Sequence, residues 1–453
     1  MNVVLLSTYD LGRQPFGLAS PAAWLRRAGA SVEAIDLSRQ HLPVNAVTNA
    51  NVVAFYLSMH TATRLALPVI DRVKAMNPGA TICAYGLYAP LNEELLRQRG
   101  VSIVLGPEAE EDLVRIATVA GTPKKGVPPQ LSDSAPILPR LSFIQPDRAG
   151  LPALDRYATL QMPDGSRKIV AATDATRGCK HRCRHCPIVP VYDGQFRVVP
   201  VDVVMADVRA QVEQGATHVS FGDPDFFNGP THARKIVEAL HREFPGVSYD
   251  AIIKVEHLLE HRKLLPVLVE TGCLFVTSAV ESVDDDVLVK LEKGHTRADF
   301  IAAVGECRSV GLTLVPTFVA FTPWTSIDGY IDLLNIVDDL DLTGHVAPVQ
   351  WGIRLLVTWG SRLLELDEIR ARVGPFDAKT LTYPWQHRDP RMDALQRQVM
   401  ALAAAMTKSR EAVFETARKL AHAARGQGNP SRSIELVLPS RSAIPYMNEP
   451  WYC

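Results

Sequence analysis

Residues 176–194 read TRGCKHRCRHCPIVPVYDG and place Cys179, Cys183 and Cys186 within eight positions. The other cysteines, Cys83, Cys273, Cys307 and Cys453, are scattered, and the first three read as small buried hydrophobes. Thiolates ligate zinc and iron-sulfur clusters. Structural zinc takes four ligands in paired knuckles, and no second Cys-x2-Cys pair exists, so His181 or His185 would have to complete the set. Three thiolates suit a four-iron cluster instead, with one iron left for something other than the protein to coordinate. The cations around them, Arg177, Lys180, Arg182 and Arg184, form either a solvated face or a site that eases cluster reduction and docks an acidic electron donor.

Outward from this loop, strand and helix patterns alternate on both sides. At 453 residues the chain needs two or three domains. Residues 1–120 predict five strands, Val3–Thr8, Ser31–Leu37, Val52–Ser58, Thr81–Tyr85 and Val101–Leu105, with helical connections and hence a parallel, flavodoxin-like sheet. Ligands of such sheets sit at the carboxyl ends of strands, which here carry TYDLG, SMHTA, YGLYAP and GPEAEED. Residues 121–167 read as a linker, with seven prolines between Gly121 and Pro152. Alternation resumes over 168–375, where Ile169–Thr173, His218–Gly222, Tyr249–Lys254, Leu274–Val280, Thr313–Phe321 and Val346–Val357 predict a partial (β/α)6 barrel with its chemistry at the C-terminal strand ends. Residues 376–453 predict a helical C-terminal region from Asp393 to about Ala423, then an extended tail too apolar to be left in water. The whole is α/β in class.

Charge and composition exclude several functions. Apolar residues make up 47% and charged residues 21%, as in globular proteins. A net charge of −1 gives no general reason to bind nucleic acid or a membrane surface. The N-terminus lacks a basic leader, and no apolar run reaches the ~18 residues that span a bilayer. A cytoplasmic protein is expected.

The spacing Cys179-x3-Cys183-x2-Cys186 after a first barrel strand resembles the signature of the radical S-adenosylmethionine (SAM) superfamily. The resemblance implies a [4Fe-4S] cluster whose open iron is chelated by SAM, and reductive cleavage of the sulfonium to an adenosyl radical. It also implies roles at the other strand ends. FGDPDFFNG resembles the Gly-Gly-Glu motif, with Gly222 admitting the backbone, Asp223 receiving the methionyl amino group and Asp225 as the competing acid. In TSAVES, Ser278 and Glu281 resemble the polar groups that hold the ribose, and His185 takes the aromatic position near adenine. A flavodoxin-like domain ahead of the barrel resembles the cobalamin-dependent branch, which makes cobalamin a candidate cofactor. The Asp-x-His-x-x-Gly motif for a lower cobalt ligand is absent, and His60 reads as structural in preference to a cobalt ligand.

A narrower resemblance runs through YDLGRQPFGLASPAAWLRRAG, IKVEHLL, KGHT, TFVAFTPWT and PYMNEPWYC to the radical SAM proteins with a CUAEP or CCAEP tail. In that family the cysteine matching Cys453 is followed by selenocysteine or a second cysteine, so the resemblance implies a selenoprotein read short and a reactive role for Cys453. The expectation is a radical SAM enzyme acting on a small-molecule or peptidic substrate with a flavodoxin or ferredoxin as donor. The alternative is a non-catalytic iron-sulfur redox sensor or scaffold.

Overall fold

The computed structural model describes residues 1–120, 138–405, 409–426 and 444–449. In the N-terminal part, β1 (Asn2–Ser7), β2 (Ser31–Asp36), β3 (Val52–Tyr56), β4 (Thr81–Tyr85) and β5 (Ile103–Val104) form a parallel sheet in the order β2-β1-β3-β4-β5. That is the flavodoxin-like order, with its switch point between β1 and β3. The strands read as near-continuous apolar runs because helices cover both faces. Leu5, Leu6, Val53, Ala54 and Phe55 are all fully buried.

The second sheet begins with β6 (Thr159–Gln161) and β7 (Arg167–Thr173), which pair antiparallel. A two-stranded ladder of β8 (Thr176–Gly178) and β9 (Phe196–Val198) follows at the end of β7. Then β10 (His218–Phe221), β11 (Ser248–Ile252), β12 (Cys273–Glu281) and β13 (Thr313–Phe318) continue parallel to β7, and β14 (Tyr446–Met447) closes the far edge. The order β13-β12-β11-β10-β7-β6-β14 is a curled partial barrel with helices packed outside. Of the six strands expected, the last is reduced to a single bridge between Phe321 and Arg354. Pro348 cannot donate to a ladder, and the Gln350 side chain accepts from Phe318 N at 2.9 Å in the ladder's place. Residues 348–351 form a 3-10 turn there.

Part of the expected linker is structural, since β6 adds to the barrel sheet. The helical C-terminal region consists of Pro390–Ala404 and Arg410–Arg425 packed on each other and on the barrel. The expected tail is described only at 444–449, where it docks as an edge strand. Tyr446 and Met447 pair with Gln161 and Leu160, Asn448 N donates to Thr159 O, and Glu449 meets Arg39 at 3.3 Å. Cys453 lies outside the described residues. No described helix is long and apolar enough to cross a membrane.

Candidate cluster and cofactor site

The cysteine loop leaves the end of β7, and its base is clamped by the β8–β9 ladder and by Cys179 N donating to Gln195 O at 3.1 Å. Gly178 is required at this base. It has φ +79°, and a Cβ there would lie 2.4 Å from the Tyr192 ring and 2.6 Å from Gln195 O. Asn228, from the loop after β10, brackets the same turn: its Oδ1 accepts from Lys180 N and its Nδ2 donates to Gly178 O. The motif reading missed Asn228, although it lies inside FGDPDFFNG.

All three thiols of the loop are free. Burial, then the Asp225 carboxylate and Cys183, pushes Cys179 up to about 11, and burial with the neighbouring thiols pushes Cys186 up to about 12. Such thiols ionise when a metal supplies the compensating charge, and mutually repelling sulfurs fit a shared cluster. The residues present therefore fit a [4Fe-4S] group on Cys179, Cys183 and Cys186.

The loop cations are mostly spent internally. Arg177 is buried between Glu108 and Glu110 at 2.9 and 2.8 Å, and the rings of Phe16 and Phe143 lie near its guanidinium. Arg182 pairs with Asp193, and Arg184 with Glu292 at 2.6 Å. Lys180 is exposed.

The strand ends converge on the loop, each in its own way. Gly222 abuts Asp174, whose carboxylate leaves no room for a Cβ. Asp223 is fully buried and turned toward the chain before the loop, accepting from Ala175 N at 2.9 Å and Thr176 Oγ1 at 2.5 Å. Burial, and then the neighbouring Asp174, raises it to about 7. Asp225 faces His181 of the loop and His257 after β11. Burial would raise its carboxyl, but these two imidazoles outweigh that and hold it at about 2. Glu281, at the end of β12, lies 3.1 Å from His185 Nε2 and 3.5 Å from Lys293 Nζ. Lys293 and His185 overcome its burial and hold it at about 2. Ser278 is fully buried, and its Oγ has no hydrogen-bond partner among the described residues. Thr173 Oγ1 in β7 and Ser220 Oγ in β10 are orphaned in the same way.

At the interface with the N-terminal sheet the fit differs. The space bordered by Ser58, Tyr56, Tyr85, Tyr192, Glu110 and Arg177 has a volume of about 150 Å³. Cofactor clefts hold about 300–1,000 Å³. Gly17 lies so close to Tyr56 that a Cβ would approach its ring to 2.1 Å, and Tyr85 Oη donates to Gly17 O. The space bordered by these residues in this arrangement is smaller than such clefts. His60 is turned elsewhere, its Nε2 2.6 Å from Thr380 O.

Comparison with known proteins agrees with this geometry. Residues 174–327 match the Radical SAM superfamily model. The chain is similar to hopanoid C-3 methylase of Methylococcus capsulatus, 24% identical over 331 residues, covering 69% of this chain and 62% of the methylase. It thus spans less than two thirds of that relative's length. In fold it is similar to the radical SAM methyltransferase TsrM of Kitasatospora setae, with a TM-score of 0.65 at 18% identity, covering 83% of this chain and 78% of that one. It is also similar to the cobalamin-dependent radical SAM enzyme OxsB, with a TM-score of 0.66 at 15% identity, covering 93% and 72%. Residues 174–327 thus match the radical SAM superfamily model, in a chain whose overall fold is similar to those of TsrM and OxsB.

Proposed function

We propose that this protein is a radical SAM enzyme that reductively cleaves SAM to modify a small-molecule or peptidic substrate. The observation that carries this is the three-thiol loop at the end of the first barrel strand, clamped at its base and inside the superfamily match. The cluster, when bound, supplies the electron for cleavage and an iron for SAM to chelate. The chain's own residues orient and shield. Asn228 and Gly178 fix the turn that presents the thiols. Ser278 offers an unpaired buried hydroxyl, and Glu281 with His185 forms a polar edge for the nucleoside. Asp225 is the acid beside the loop, which favours it over Asp223 as the group facing the methionyl end.

Lys180 and Arg182 are the exposed loop cations available to an acidic donor of the flavodoxin or ferredoxin type. The narrower reading places the chain with the CUAEP/CCAEP-tail proteins. Docking of 444–449 beside Gly12 and Arg39 supports a tail that runs toward the junction of the two sheets.

The test is anaerobic incubation of the reduced, cluster-loaded protein with SAM. Release of 5′-deoxyadenosine, methylthioadenosine or S-adenosylhomocysteine is expected, and its identity names the bond that breaks. A protein that carries a full cluster and releases none of them is a sensor or scaffold.

A further inference from the structure

The space of about 150 Å³ between the two sheets is walled by strand ends of both. Tyr56 and Tyr85 end β3 and β4, Glu110 opens the helix Glu110–Ala120 after β5, and Asp174 directly follows β7. Ligands of both kinds of sheet sit at such carboxyl ends. Gly178 and Ile188, on either side of the three cysteines, form part of the wall, so the space adjoins the cluster loop. A cavity of about 150 Å³ holds a molecule about the size of benzene.

Its polar groups are unequally satisfied. Arg177 is held by Glu108, Glu110 and Ser20, while Tyr85 Oη and Tyr192 Oη donate to Gly17 O and Glu108. Those tyrosines therefore offer a ligand their ring carbon. Asp174 differs. Its side chain is 23% exposed, no hydrogen bond reaches it among the described residues, and Arg177 Nε stands 3.9 Å away. Glu110 Oε1 accepts from Ser20 and Arg177, but Glu110 Oε2, in a side chain only 2% exposed, has no partner among the described residues. Ser58 Oγ, on the same wall, donates to Tyr9 O at 3.3 Å and keeps its acceptor capacity.

Charge decides what fits these acceptors. Glu108, Glu110 and Asp174 are three carboxylates around one guanidinium. Burial outweighs Arg177 and, with Asp207 and Glu108, raises the Asp174 carboxyl to about 6. A cation beside it takes the place of that proton. A neutral donor leaves the negative excess unmatched, and an anion adds to it. We propose that this space is the substrate pocket and takes the ammonium group of a small primary amine, held by Asp174 and Glu110 with its carbon packed on the tyrosine rings. An ammonium carries three donors and no acceptor, which suits a wall of acceptors. That the amine is a substrate rests on the radical SAM reading; that an amine binds rests on the pocket alone.

The full chain, as isolated and with neither SAM nor reductant, is titrated with butylammonium at neutral pH. Saturation-transfer NMR reads binding, with 1-butanol and butyrate as the neutral and anionic matches. The expected result is transfer to butylammonium and at least tenfold weaker binding of the other two. Asp174→Asn keeps the shape and loses the charge, and should bind butylammonium at least tenfold more weakly with an unchanged circular dichroism spectrum. Should that variant unfold, the comparison of the three ligands in wild type decides alone. No transfer to butylammonium, equal binding of 1-butanol, or affinity unchanged in a folded Asp174→Asn overturns the pocket. Release of SAM cleavage products would still uphold the radical SAM reading in that case.

Discussion

Glu281 adopts φ +68°, a left-handed backbone that non-glycine residues rarely take, and the β12–β13 register slips between Ala279 and Glu281. Strain of this kind costs on the order of 1–3 kcal/mol and persists where the surroundings hold it. Here the slip re-aims the carboxylate at His185 and Lys293, two groups from different loops around the barrel mouth. Replacing Glu281 or Ser278 by Ala is expected to weaken SAM binding by at least fivefold while leaving the cluster absorption intact. Isothermal titration of the loaded protein checks this, and unchanged affinity in both removes them from the site. Asp10 titrates differently. Burial, despite the nearby Arg13, raises it to about 7, while Asp174 is raised to about 6 and Asp223 to about 7. A carboxyl whose folded value exceeds its unfolded value binds protons more tightly when folded. Its contribution is complete below the ordinary carboxylate value of about 3.8 and is lost as pH rises through about 7. Wild-type stability should therefore fall as pH rises from about 4 to about 7. A tenfold difference in proton affinity between the folded and unfolded chain is worth about 1.4 kcal/mol at most. Asp10→Asn should flatten that slope in thermal melts, and an identical slope contradicts the assignment.

Between elements, the decisive contact is Arg177. It stands two residues before Cys179, yet its partners Glu108 and Glu110 follow β5 in the other sheet. Tyr192 Oη also donates to Glu108, at 2.8 Å. Removing one member of a buried ion pair costs about 3–5 kcal/mol, because the remaining charges are left unpaired. Arg177→Ala should therefore lower the denaturant midpoint strongly, and a surface control such as Arg209→Ala should not. This contact shows what the sequence hid. The strands of the N-terminal sheet were legible because their buried apolar runs are local signals. So was the cysteine loop, whose spacing is its own evidence. Arg177 read as one of several loop cations because nothing local marks a pairing across 69 positions. The last barrel strand was misjudged for a similar reason, since an apolar run does not reveal that Gln350 will take over a ladder bond. The roles of Asp223 and Asp225 depend on which way each side chain turns, and a two-residue spacing does not fix that.

At the scale of the whole molecule, the N-terminal sheet packs its strand ends against the barrel through aromatic rings and a buried ion network. The chain shares its fold with the cobalamin-dependent enzyme OxsB, but the space at the switch point of the sheet is about 150 Å³. Gel filtration with hydroxocobalamin reads whether that space admits the cofactor, and less than a tenth of an equivalent recovered with the protein would mean that it stays closed. One equivalent bound would mean that the Arg177 network opens. Whether the three-cysteine loop holds a cluster which SAM completes is read by anaerobic reconstitution followed by electron paramagnetic resonance of the reduced protein with and without SAM. The expected result is about four irons per chain, a reduced-cluster signal whose g values shift when SAM is added, and neither iron nor signal once Cys179, Cys183 and Cys186 are replaced by Ala. A signal indifferent to SAM, or iron retained by the triple variant at that site, would contradict it.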